Sequence, residues 1–418
     1  MSSVVVFAGA VLFWVLFSKR LEAWSITAPI VLTVAGFVAA HALGGGDNLA
    51  SEGIRELIEV TLALVLFVDA SSIAVRWFRT EWQYPARLLG IGLPLTIVLG
   101  TVTAAVLFPG NDIWLMAVVG ASLAPTDAAL GVSIIENDRF PLRLRQVINV
   151  ESGLNDGLVT PIVSFCIAIA AATVDHVADR PFLSALREIV LGVAIGFLIG
   201  IVTGRVLVHA RDKGWATPAL LPVAPFVVAI VTYLAVVQLG GNGFVAAFVC
   251  GVGFGVPTRR AAATSAAAPE PGPDAGDDLL EFDHRAAALL GYAVWFVFGE
   301  SVLGSLSTAH LGMALVYALL SLTVLRMLPV AVATFGLHLP RDTVLLVGWL
   351  GPRGLASIIF AILAADTIGD EAGDLVLTVV AVTVAMSVLA HGLSAGPLAS
   401  WYAKRHPVEP AAADAPGS

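Results

Sequence analysis

Residues 113–135 read IWLMAVVGASLAPTDAALGVSII, and residues 146–172 read QVINVESGLNDGLVTPIVSFCIAIAAA. Each run has the roughly 20 residues that cross a hydrocarbon core as a helix, and neither alternates like the roughly ten-residue strands of a membrane barrel. Yet the two runs hold Asp127, Glu151 and Asp156. A charge at the bilayer centre costs about 2.5–3.5 kcal/mol even on the lenient insertion scale, so each such acid needs a partner or a task. Pro125 removes a backbone hydrogen bond from the first run, and irregular backbone at membrane depth survives only where it lines a cavity or is buried in protein. The two segments read as crossing helices with an ionisable site between them.

The rest of the chain agrees with this reading. Of 418 residues, 58% are hydrophobic and 13% charged, with a mean hydropathy of +0.91, against about 25% charged in a soluble domain. Apolar runs recur along the whole length and predict an all-α polytopic membrane protein of about thirteen spans. They lie near residues 4–17, 26–43, 54–75, 86–108, 113–135, 146–172, 182–208, 219–238, 243–256, 286–304, 309–335, 343–366 and 373–399. The first cations, Lys19 and Arg20, follow the first run, the reverse of a cleavable signal, so that run is expected to be retained. Residues 257–285, rich in Pro, Ala and acids, read as one long disordered linker, and residues 406–418 as a disordered tail.

Lys and Arg concentrate on one side. Lys19, Arg20, Arg76, Arg79, Arg87, Arg139, Arg143, Arg145, Arg205, Arg211, Lys213, Arg259, Arg260, Arg285, Arg326, Arg341, Lys404 and Arg405, 18 of the 22, fall at odd-numbered connections. Arg55, Arg180 and Arg187 fall at the others, and Arg353 inside a run. Because cytoplasmic loops hold the cationic excess, this places the N-terminus outside and the C-terminus in the cytoplasm of a plasma-membrane protein.

The net charge of −9 argues against nucleic acid as a partner. Cys166 and Cys250 lie in apolar runs without metal-ligand spacing, and no Gly-rich phosphate loop is present, so no cofactor is expected and energy must come from ion gradients. His41, His310 and His391 stand alone near span ends and read as surface or packing residues. Trp24, Trp82, Trp114 and Trp401 sit where interfacial aromatic belts are expected.

Six ionisable residues fall inside spans: Asp69, Asp127, Glu151, Asp156, Glu300 and Arg353. Five acids cannot all be neutralised by one Arg, so some must be protonated or hold a cation. In the sixth span Ser152 and Asp156, and likewise Glu151 and Asn155, are four apart and predict one continuous polar face. A carbonyl freed near Thr126, the Ser152 hydroxyl and the Asp156 carboxylate form a hard oxygen set suited to Na⁺ or a similar monovalent cation. Gly153 and Gly157 flank that face and allow another helix to approach. The fifth span also resembles the twelfth, where LVGWLGPRGLAS (346–357) answers VVGASLAPTDAALG (118–131), and LFVDASS (66–72) resembles VFGESV (297–302). Both pairs are seven spans apart, and an odd offset inverts the topology, the sequence pointer to a midplane transporter site.

ASLAPTDAALG, then VESGLNDG, then GWLGPRGLAS resemble the cation/proton antiporter superfamily, and most closely its NhaP-type sodium/proton antiporters. The resemblance covers the whole membrane portion. It implies an inverted-repeat antiporter fold of thirteen helices in residues 1–400, with unwound crossings in the fifth and twelfth, and a homodimer. Helices four to six and eleven to thirteen would form a core moving against a dimerisation scaffold of helices one to three and seven to ten. It further implies that Asp156 carries the ion or proton, that Asn155 is its paired amide, and that Thr126 and Ser152 are neighbouring cation ligands. Asp127 would be the acid of the unwound crossing, Asp69 an acid near the ion route, and Glu151 and Arg353 an ion pair joining helices six and twelve. Glu300 receives no role. With an amide at position 155, one carboxylate is left to be shared, which predicts electroneutral exchange of cytoplasmic Na⁺ for an external proton, with K⁺ or Li⁺ as alternative ions and Asn155 bonded to Asp127. A cation channel and a membrane-embedded enzyme are the rival readings, the latter lacking a paired His metal motif or a Ser/Lys dyad.

Overall fold

The computed structural model describes residues 3–43, 51–72, 82–127, 142–175, 181–265, 277–306 and 308–406. The apolar runs form helices in chain order: α1 (Ser3–Glu22), α2 (Ala28–Leu43), α3 (Glu52–Ser72), α4 (Gln83–Leu107), α5 (Ile113–Ser122), α6 (Leu142–Asp175) and α7 (Pro181–Asp212). They continue as α8 (Val223–Gln238), α9 (Gly243–Ser265), α10 (Asp277–Val297), α11 (Leu311–Ala333), α12 (Arg341–Trp349), α13 (Leu355–Ile368) and α14 (Asp370–Arg405). A π-helical turn interrupts α4 at Leu88–Gly92, another extends α10 over Phe298–Val302, and α11 breaks at Thr323.

The fifth and twelfth runs, for which the resemblance implied unwound crossings, are interrupted. After α5 the chain is non-helical through residues 123–127, where Pro125 has no N–H to give, and residues 350–354 separate α12 from α13. The linker expected over residues 257–285 is shorter than its composition implies. The Ala-rich stretch after Pro257 continues α9 to Ser265, and α10 begins at Asp277, with Arg285 donating to Glu281 one turn earlier. Only residues 266–276 of that linker, and 407–418 of the tail, lie outside the described residues.

Two sets of helices pack most closely within themselves and join in one large core. α3, α7, α8, α9 and α10 share a cluster around Phe67, Cys250 and Phe254. Within it Gly192, Gly196, Gly200 and Gly204 of α7 press on α9, and a Cβ at Gly196 would lie 2.4 Å from the Ala246 carbonyl oxygen. This is close packing of small residues at four-residue spacing. α5 packs on α4, α13 and α14, and α11 on α4, α12 and α14. α6 touches both sets, meeting α5 and α13 on one side and α3, α7 and α9 on the other. The residues of α6 therefore stand at the seam between them.

Candidate cation site

The site is built where the two interrupted segments cross. The Asp127 amide donates to the Pro352 carbonyl at 2.8 Å, and the Leu355 amide donates to Asp127 Oδ2 at 3.1 Å. The Asp127 carboxylate thus sits on the N-terminal end of α13, where unpaired amides and the helix dipole favour negative charge. Arg353 does the converse for α5: its Nη1 donates to the carbonyls of Ala124 and Pro125, at 2.9 and 3.1 Å, just past that helix's C-terminal end. Gly354 makes this crossing possible, since a Cβ there would lie 1.9 Å from Asp127 Oδ2.

α6 lies against the crossing. Ser152 Oγ and Thr126 Oγ1 are 3.1 Å apart, and Asn155 Nδ2 donates to Thr126 Oγ1 at 2.7 Å. Asp156 is the next residue, and its Oδ1 is buried without a hydrogen-bond partner among the described residues. A buried carboxylate oxygen left unpaired is costly, which makes it available to a proton or a cation. Gly153 faces the Asp69 side chain, and Gly157 lies under the ring of Phe248, which a Cβ would meet at 2.0 Å.

Asp69, Thr126, Asp127, Ser152 and Asp156 all line one cavity of about 580 Å³. The cavity runs past Tyr292 and His284 of α10 to Glu22 and Ser25 at the α1–α2 connection, and among the described residues no Lys or Arg lines it. The carboxylates of Glu22, Asp69, Asp127 and Asp156 along its wall give it a field that attracts cations.

The structure does not gather every residue read from the sequence. The expected continuous face of α6 divides: Ser152 and Asp156 turn to the cavity, while Glu151 and Asn155 turn into the protein. Neighbours along a helix differ by about 100° in direction, so two four-residue pairs offset by one cannot share a narrow stripe. Asn155 bonds Thr126 rather than Asp127, because the Asp127 carboxylate is engaged by the amide end of α13. Glu151 pairs not with Arg353 but with Arg326 of α11, at 2.7 Å with both side chains 4% exposed. Arg353 is held away by the α5 carbonyls. Arg326, counted from sequence among the cations bordering the eleventh span, is buried within α11. Glu300, in the π turn after α10, accepts from the Ser3 hydroxyl and does not line the cavity. Asn149, one turn before Ser152, also lines it and was not singled out by the sequence, although its place on the same helix face could have marked it.

A family model described as sodium/hydrogen exchanger, transmembrane, matches residues 6–401. The chain belongs to that family. Within the exchangers its likeness runs to the NhaP type in sequence and in structure. It is 26% identical over 408 residues to the K⁺/H⁺ antiporter NhaP of Alkalimonas amylolytica, covering 96% of this chain and 67% of that protein. It is 23% identical over 383 residues to a Na⁺/H⁺ antiporter of Schizosaccharomyces pombe, covering 85% and 78%. The fold matches that of the sodium proton antiporter MjNhaP1 from Methanocaldococcus jannaschii with a TM-score of 0.73 at 19% identity, over 95% of this chain and 98% of the other. The exchangers are transporters, not enzymes, which removes the membrane-enzyme reading.

Proposed function

We propose that this NhaP-type cation/proton antiporter exchanges one cytoplasmic Na⁺ for one external proton, with Asp156 as the group that binds either. The observation that carries the reading is the unpaired Asp156 Oδ1, beside the Ser152–Thr126 hydroxyl pair at the inner end of a cation-attracting cavity. Competition for one carboxylate couples the two fluxes, because the carrier is neutral with either a proton or a cation aboard. Thr126, Ser152 and Asp156 would supply oxygen ligands to the cation, with Asp127 and Asp69 adding negative field. Asn155 cannot titrate, and its amide nitrogen donates to Thr126, which supports one-for-one stoichiometry.

In the same reading the chain makes thirteen crossings, α12 and α13 forming one of them, with the N-terminus outside and the C-terminus in the cytoplasm. The cavity then opens to the cytoplasm, since it reaches the α1–α2 connection next to Lys19 and Arg20. α4–α6 and α11–α14 form the moving core, the other helices the scaffold, and two copies form the working dimer. A second reading, K⁺ in place of Na⁺, is favoured by the similarity to the Alkalimonas K⁺/H⁺ antiporter.

Proteoliposomes holding a pH-sensitive dye test the proposal. Na⁺ addition should move protons in the wild type and not in Asp156→Asn, and an imposed membrane potential should leave the equilibrium ion distribution unchanged. Retained flux in Asp156→Asn would place the carrier elsewhere, and a voltage-dependent equilibrium would refute electroneutrality. Running Na⁺, K⁺ and Li⁺ side by side decides the ion.

A further inference from the structure

Arg353 holds the carbonyls just past the end of α5, and at the matching end of α12 the Trp349 carbonyl, which accepts from the Gly351 amide, meets a second partner that its sequence position marked only as surface or packing. His391 of α14 is 2% exposed, and its Nε2 lies 2.8 Å from the Trp349 carbonyl oxygen at the last residue of α12. Both ring nitrogens face carbonyls, since Nδ1 lies 2.9 Å from the Ser387 carbonyl oxygen, so the ring donates to Trp349 in one neutral tautomer and to both carbonyls when protonated. The Nδ1 on the other edge of the ring lies 3.1 Å from the Ser387 hydroxyl one turn back, and the same Ser387 Oγ accepts the Arg353 amide at 2.7 Å. The Trp349 indole stacks at a tilt on the imidazole, with centroids 5.1 Å apart, and donates to Ser394 Oγ on the same helix at 2.9 Å. Three side chains of α14 thus hold both ends of the five-residue stretch that joins α12 to α13.

We propose that His391, acting with Ser387, is a positioning residue for transport. It fastens residues 350–354 to α14, so that the backbone on either side of Arg353 stays where it can engage the α5 crossing. The chain of consequence is short. Ser387 fixes the Arg353 backbone, Arg353 fixes the Ala124 and Pro125 carbonyls, and Pro352 and Leu355 bracket Asp127. Thr126 lies between those anchored residues and points its hydroxyl at Ser152. His391 touches neither cation nor proton; loosening it displaces a cation ligand about one protein layer away. The inference rests on the cation site proposed above.

The test is a set of purified variants, His391→Ala, His391→Gln and Ser387→Ala, with Asp156→Asn as control, assayed in proteoliposomes for apparent KM and turnover with Na⁺. His391→Ala should raise the apparent KM about tenfold, the scale of one unmade buried hydrogen bond, and Ser387→Ala by roughly threefold to tenfold. His391→Gln, whose amide can reach the Nε2 position and donate to Trp349, should stay within about twofold of wild type with an unshifted pH profile. A purely structural role would lower the yield of folded protein and leave KM alone. Wild-type KM in His391→Ala, or a Gln variant as impaired as Ala, overturns the proposal; if His391→Ala does not fold, wild-type KM in Ser387→Ala does so. Failure of the underlying site is separate, since it would appear as exchange retained by Asp156→Asn.

Discussion

The pairing of Glu151 with Arg326 rather than Arg353 can be settled by double-mutant cycles. The two groups are 2.7 Å apart and almost wholly buried, and removing one member of such a pair costs about 3–5 kcal/mol, because the survivor is left charged and uncompensated. Glu151→Leu leaves the Arg326 guanidinium buried without its carboxylate. Replacing both partners by Leu removes both desolvation penalties and should recover most of the loss, giving a coupling of about 2–4 kcal/mol. The Glu151–Arg353 cycle should give less than about 1 kcal/mol, the Arg353 hydrogen bonds going to carbonyls instead. With an unfolding entropy of about 2.1 cal/mol/K per residue over 418 residues, each harmful single change lowers the midpoint by about 3–6 °C. Tryptophan fluorescence of detergent-solubilised protein, heated at one fixed rate, measures this shift. Additive losses for Glu151 and Arg326, or a larger coupling with Arg353, would refute the arrangement.

Gly354→Ala should lose exchange and about 2–4 kcal/mol of stability, since its methyl would occupy the space of the Asp127 carboxylate and break the contacts that Asp127 makes to α13; near-normal transport and melting would contradict it. On the side of the protein away from the cavity mouth, Arg55 of α3 bridges to Asp366 of α13 at 2.7 Å while also holding Glu59. Arg55→Ala should raise the apparent KM measured from the cavity side about twofold to fivefold, the population shift that an exposed pair can supply, and an unchanged or lower KM would count against a latch there. His406 hydrogen-bonds Asp342 at the start of α12 and holds that carboxyl below its usual range. Its contribution is therefore present above the ordinary Asp pKa and lost as pH falls through the lower folded value. His406→Ala should flatten the acid-side loss of thermal stability below about pH 4, and an identical acid slope would show that the contact contributes nothing.

Helices were legible from the sequence because a bilayer demands long apolar runs, and the acids stood out because charges deep in those runs are few. Pro125 announced the first interruption. The second had weaker marks in Gly351, Pro352 and Gly354, and how the two segments lock together depends on contacts some 228 residues apart in the chain. Arg326 was misplaced for a physical reason: it sits in TVLRMLPV (323–330), near a run's end, where a snorkelling cation and a buried one look alike. Asn155 was assigned the wrong partner because helical spacing gives a residue's direction and not what else competes for the acceptor. His391 was passed over because an isolated histidine carries no signal until the carbonyl it caps is in view.

Gly153 and Gly157 give α6 a surface without teeth. Helices usually interlock by ridges set into grooves, and sliding one past another then requires side chains to ride over each other. Along this seam the Asp69 side chain and the Phe248 ring rest on nearly bare backbone, so a shift of α6 parallel to its own axis meets few steric steps. A single β-carbon at Gly157 would become a cog against the Phe248 ring, turning a smooth bearing into a ratchet and slowing any stroke that passes it, while Asp156 and its neighbours keep their chemistry.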